Sequence, residues 1–343
     1  MENRAAVDAV GRRATSAAVR LIAIALLVLL AGCGGFGPTA PQAPASAVVA
    51  TLQAGAAPTL LAASPDGRRV YAASNGSISI IDAGANTVLK TLEHAPNATG
   101  VAVAPNNAHA YVTNLFSINL AVVDAASESL APGITMFLAR LRGGFGRLAV
   151  APDNQTVYVA NTANQAFGII DLGGGPGQLL MPTVWPVDVA VSADGRTVYA
   201  AGCKQICTPG FVQVYDAVNG RFTQEIAVDG NPYRIVLSPN GANAYVANLT
   251  GPSVSFVDLA SRAVTATVAV PPQPTGMGIS PDGSTLYVAS QTAGTLSVVD
   301  VASASVRMQL PVYQARDVAV RPDGRYVYVS SGDKVLVVDA AQL

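Results

Sequence analysis

The side chains that most often carry chemistry are scarce in this chain. It has two histidines, His94 and His109, and three cysteines, Cys33, Cys203 and Cys207. His94 precedes a first strand and His109 a second strand of the repeat described below. That places them on opposite faces and leaves no set of imidazoles to ligate a metal. Cys203 and Cys207 lie in the loop GCKQICTPGF without a neighbouring histidine. Such a pair is a poor zinc site, and C-x-x-x-C is neither a haem-attachment motif nor the usual redox spacing. In an oxidising compartment the close spacing predicts a disulfide across a tight loop. After Cys33 the glutamates are Glu93, Glu128 and Glu225, too scattered for a paired-carboxylate site. No G-x-S-x-G, P-loop or C-x-x-C-H occurs, so no catalytic residue, metal or cofactor is expected.

What remains is charge at one recurring position. Aligning the repeats brings Leu60, Gly100, Arg147, Asp188, Arg234, Gly276 and Asp317 into register. Four of these are charged in a chain only 12% charged, and Tyr233 and Arg316 add polar groups next to them. Arginine forks near carboxylates have two uses. They close a channel with ion pairs, or they orient the carboxylate or phosphate of a small ligand in a concave site.

The elements that must position these residues follow from an internal repeat. Tyrosines recur at 71, 111, 158, 199, 245, 287 and 328, and each tyrosine strand is followed by a strand ending in Asp, at 82, 124, 171, 216, 258, 300 and 339. Thr275 to Leu310 shows one unit: four short β-branched stretches between turn residues, with no helical periodicity. Four strands and their turns make one propeller blade. In turns such as Pro65-Asp66-Gly67, proline presets φ, Asp bonds its own backbone and Gly takes a positive φ. The Asp closing each third strand starts the next turn, and the tyrosines wedge between sheets.

Tyr111-Val112-Thr113-Asn114 is a literal YVTN, and the units resemble the repeats of YVTN-family β-propellers from Ala47 to Asp339. Ala193-Asp194-Gly195 and Tyr199-Ala200-Ala201-Gly202 depart from the pattern but keep the strands. The expected fold is all-β, a seven-bladed propeller of four-stranded antiparallel blades. Only six fourth strands follow a third. The seventh is expected from Ala47 to Gln53, AVVATLQ, pairing beside Val335 to Val338 and covering an exposed edge. In such a fold first strands line the central channel, and their starts share a face with the loops between second and third strands. Arg147, Asp188, Tyr233, Arg234, Arg316 and Asp317 then gather at one channel mouth, and the Cys203–Cys207 loop lies on the same face.

The first 32 residues read as an export signal: Arg12, Arg13 and Arg20, then apolar Leu21 to Leu30, then small residues before Cys33. The apolar run is half of what a spanning helix needs. Leu30-Ala31-Gly32-Cys33 resembles the bacterial lipobox, which implies lipid on Cys33 and cleavage before it. Gly34, where inner-membrane lipoproteins often carry Asp, favours the outer membrane. Residues 33–46 read as a Gly/Pro/Ala-rich tether and 47–343 as the propeller. The net charge of -1 and the lack of basic runs exclude nucleic acid as a partner. The partners expected are the membrane, through the lipid, and a protein, glycan or small polar ligand.

The functional reading is a non-enzymatic binding module displayed at the cell envelope. One alternative is a hydrolase resembling seven-bladed lactonases, with Asp188 or Asp317 as base. Another is an accessory protein of a periplasmic redox system. If Cys33 carries the anchor, Cys33→Ala moves the chain out of the membrane fraction, and intact-mass measurement of wild type finds acyl groups on a chain starting at Cys33. A wild-type chain without acyl mass contradicts this.

Overall fold

Runs such as Thr285–Ser290 and Lys334–Asp339 alternate too briefly for helices and are rich in β-branched residues. Turn residues interrupt them every few positions, so they fold as short antiparallel strands. The computed structural model describes residues 41–93, 97–115, 119–135, 146–205 and 207–343. The export signal, Cys33 and His94 lie outside these residues.

The strands form seven four-stranded antiparallel sheets, each built from consecutive strands except one. The first strands, in blade order, are Leu60–Ala63, Ala98–Val103, Leu148–Val150, Trp185–Val191, Pro232–Leu237, Pro274–Ile279 and Ala315–Val320. Each packs against the first strands of both neighbouring blades, and the seventh returns to the first, so these strands wall a closed central channel. The fold is a seven-bladed β-propeller. Among the described residues the only helical pieces are the short 3-10 turns Ala45–Ala47 and Ala340–Gln342.

The exceptional sheet is the seventh, where Val48–Leu52 supplies the outer strand. It runs antiparallel to Lys334–Asp339, with Val48 opposite Val338 and Leu52 opposite Val335. The closure expected from Ala47 to Gln53 is therefore the one observed. The docked chain starts earlier than the repeats alone indicate. Gln42 bridges Gln309 on the outer strand of blade six, and the Ala43 N–H donates to the Gln309 carbonyl at 2.7 Å.

Turn chemistry repeats with the blades. In the first, Ser64 Oγ donates to Asp66 Oδ1 and accepts from the Arg69 N–H, while Gly67 takes a φ of +69°. Asn107 and Asn154 fill that left-handed position in blades two and three, a conformation asparagine tolerates. The seven aspartates that end third strands each accept a backbone N–H two or three residues on. At Asp258 the Ser261 hydroxyl and N–H hold the carboxyl below the usual range. These carboxylates act as turn fasteners.

Seven apolar clusters fill the interfaces between consecutive blades, and each contains one repeat tyrosine. Tyr71 of blade one packs on Ala110 and Val112 of blade two, and Tyr245 of blade five on Leu286 and Val288 of blade six. Tyr328 of blade seven packs on Leu61, Val70 and Ala72 of blade one, sealing the ring, and its hydroxyl donates to Asn86 Oδ1. Burial pushes the phenols of Tyr71, Tyr158 and Tyr328 up to about 12. A blade alone would expose these faces, so stability depends on the closed ring. Deleting residues 47–53 uncovers Val335 and Val337 and an unpaired edge. It is expected to lower the melting temperature strongly, and an unchanged melting temperature would refute this role for the strand.

Candidate functional site

The site begins with a backbone irregularity. Where the first strand pairs with the second, the register jumps between Ala98 and Gly100, Pro186 and Asp188, Pro232 and Arg234, Pro274 and Gly276, and Ala315 and Val318. Such bulges leave a residue unpaired and re-aim its side chain. The displaced residues are Thr99, Val187, Tyr233 and Thr275, with Arg316 and Asp317 both inside the last jump. Thr59 and Gly146 hold the matching places in blades one and three. All seven blades thus contribute one half-buried residue to an outer ring: Thr59, Thr99, Gly146, Val187, Tyr233, Thr275 and Arg316.

The next residue in each blade forms an inner ring: Leu60, Gly100, Arg147, Asp188, Arg234, Gly276 and Asp317. All are buried except Arg234, which is half-buried. The glycines give no void, because a Cβ at Gly276 would lie 2.4 Å from the Asp317 Cα; they let neighbouring blades approach closely.

The inner ring is an ion-pair plug. Arg147 reaches across the channel from blade three, its Nη1 3.3 Å from Asp317 Oδ2 and its Nη2 donating to the Thr275 carbonyl. Arg234 Nη1 lies 3.1 Å from Asp188 Oδ2. Both carboxylates are wholly buried and also serve neighbouring backbone. Asp317 accepts the Leu61 N–H of blade one; Asp188 accepts the N–H groups of Val189 and, in blade five, Ile235. Burial opposes the charge on Arg147, but the carboxylates of Asp317 and Asp188 outweigh it and leave the guanidinium more basic than a free arginine. The Asp317 Oδ1 and Arg234 Nε, both buried without a hydrogen bond, face each other at 4.0 Å.

Over the plug lies a cavity of about 640 Å³, lined by every residue of the outer ring together with Leu60, Ala98, Leu115, Arg147, Thr162, Ala163 and Gln291. Among the described residues no carboxylate lines it. Of the six residues singled out from the sequence, Arg147, Tyr233 and Arg316 face this space, while Asp188, Asp317 and Arg234 belong to the plug beneath. Among the described lining residues Arg316 is the cation in excess. Among the described residues no carboxylate comes within 4.0 Å of it; its Nη2 meets Gln314 Oε1 at 3.4 Å, and its Nε is buried without a partner. The threonines Thr59, Thr99 and Thr275 and the loop residues Leu115, Thr162 and Gln291 were not expected from the sequence. The position preceding each aligned inner-ring residue is the signal that reaches the first three.

Cys203 and Cys207 lie at the end of a second strand and in the following loop, their sulfurs at a bonding distance of 2.00 Å. Next to them Lys204 pairs with Glu225 at 2.7 Å and sits over the Phe211 ring. Among the described residues no three His, Cys, Asp or Glu side chains gather as a metal would need. A second hollow, about 430 Å³ and lined by Arg196, Tyr199 and Arg262, opens between blades four and five.

No protein-family model matches the chain, and a search of curated proteins finds no relative. Solved structures do match. Hydrazine synthase of Kuenenia stuttgartiensis superposes with a TM-score of 0.74 over 91% of this chain and 99% of its own, at 18% sequence identity. At that identity the likeness is one of fold.

Removing a single partner from a buried ion pair leaves an uncompensated charge and costs about 3–5 kcal/mol. Asp317→Ala strips Arg147 and the Leu61 N–H together, and a fall of that size is expected in chemical denaturation. An unchanged denaturation midpoint would contradict a structural role for the plug.

Proposed function

We propose that this chain is a binding module whose seat is the channel mouth, and that it takes a small anionic ligand on Arg316. The observation that carries the reading is a concave space walled by all seven blades, with one guanidinium that no carboxylate of the described residues neutralises. A cavity of this size is in the range of small-ligand sites. The outer ring adds Tyr233, and the loop residue Gln291 joins it, as further polar groups. Lipid on Cys33 would hold the module at the envelope, in the outer membrane by the Gly34 criterion, with the mouth open to solutes of that compartment.

The hydrolase alternative finds less support. A general base must reach the proton that it removes. Asp188 and Asp317 are wholly buried, lie outside the cavity lining and are occupied by arginines and backbone N–H groups. The redox-accessory alternative rests on fold likeness alone, and one fold serves many functions.

Titration calorimetry with acetate and inorganic phosphate tests the proposal. Wild type is expected to bind at least one of them, and Arg316→Ala to weaken that binding at least tenfold while its melting temperature stays within a few degrees. Absence of binding, or equal binding by the variant, would refute the seat.

A further inference from the structure

The cavity is two-sided, and we infer from this that its ligand is an amphipathic monocarboxylate: one anionic head on an apolar body. The inference rests on the binding seat proposed above and specifies what fills it.

Chain order is also ring order here, because each first strand packs between its two neighbours. The lining residues therefore sort into two arcs. Leu60, Leu115, Ala163 and Val187 come from blades one to four and give that arc an apolar surface. Tyr233, Gln291 and Arg316 come from blades five to seven and give the other arc its donors. Arg147 does not blur the division. Although it springs from blade three, its guanidinium crosses to Asp317 and the Thr275 carbonyl, on the polar side. Three threonines also lie on the apolar arc, and each turns its hydroxyl to a protein partner: Thr59 to the Ala73 carbonyl at 3.5 Å, Thr99 to Thr113 Oγ1 at 3.4 Å and Thr162 to the Pro186 carbonyl at 2.9 Å.

Charge balance sets the head group. In the plug two arginines, Arg147 and Arg234, stand against two aspartates, Asp317 and Asp188. Among the described residues that leaves Arg316, whose one positive charge a single negative charge matches. A planar guanidinium matches a carboxylate through two parallel hydrogen bonds. A dianion would leave one charge facing the apolar arc, and a sugar acid would set hydroxyls against Leu115 and Val187 without partners.

The test is calorimetry on the full chain with acetate, butyrate and hexanoate, with hexanol and hexylamine as controls. Affinity is expected to tighten about fourfold with each added methylene that enters the apolar arc. Hexanol and hexylamine are expected to bind at least tenfold more weakly than hexanoate. Arg316→Gln should bring hexanoate down to the level of hexanol. Val187→Ser and Leu115→Ser should flatten the dependence on chain length, and these two remain informative if the arginine variant fails to fold. Acetate or phosphate bound as tightly as hexanoate would overturn the amphipathic class and leave the anion seat standing. A chain that binds none of the carboxylates and no phosphate would overturn both. Hexanol bound as tightly as hexanoate would overturn the role of Arg316 as the head-group partner.

Discussion

Everything in this molecule depends on one packing constraint. A four-stranded sheet of these sequences has two apolar faces and can bury neither alone, so each must lie between two others. Seven sheets satisfy this only by meeting in a ring, and the ring leaves one edge to complete. Val48–Leu52 completes it, bringing the two ends of the propeller together in blade seven. The tyrosine at each interface serves the same constraint. Its ring fills the wedge between neighbouring sheets, and at the seam Tyr328 links blade seven to blade one through Asn86 and the Ala83 carbonyl.

Closing a ring of inner strands creates a channel, and the channel poses an electrostatic problem that the inner ring answers. Arg147, Asp188, Arg234 and Asp317 meet where blades converge, and each aspartate also binds a backbone N–H of an adjacent blade. The ion pairs thereby hold blades in register as well as filling the hole. This fits the reading of the charges as a structural closure. The bulges just before them produce a different surface, one that faces outward and carries Arg316, which no carboxylate of the described residues pairs. Closure and the proposed recognition thus use consecutive residues of the same strands.

The fold was legible in the sequence because the repeat places one residue type at each turn and each wedge. A turn aspartate or a buried tyrosine does its work through its own short-range geometry, and it does so seven times. The charged cluster was legible for a related reason: aligned positions in a ring must come together. The finer arrangement was not. A bulge is defined by pairing with the next strand and not by side-chain type, and Thr99, Val187, Tyr233, Thr275 and Arg316 share no chemistry that would mark them as equivalent. The reach of Arg147 across three blades to Asp317 depends on the channel's width and on the side chain's path. The early docking of residues from Pro41 onward rests on backbone bonds to Gln309, which leave no mark on composition.

The most direct measurement is a crystal structure of the chain with bound hexanoate. The account predicts carboxylate oxygens about 2.7–3.2 Å from the Arg316 guanidinium, with the hydrocarbon against Val187 and Leu115. A carboxylate held anywhere else, or a reversed ligand with its chain toward Arg316, would contradict it.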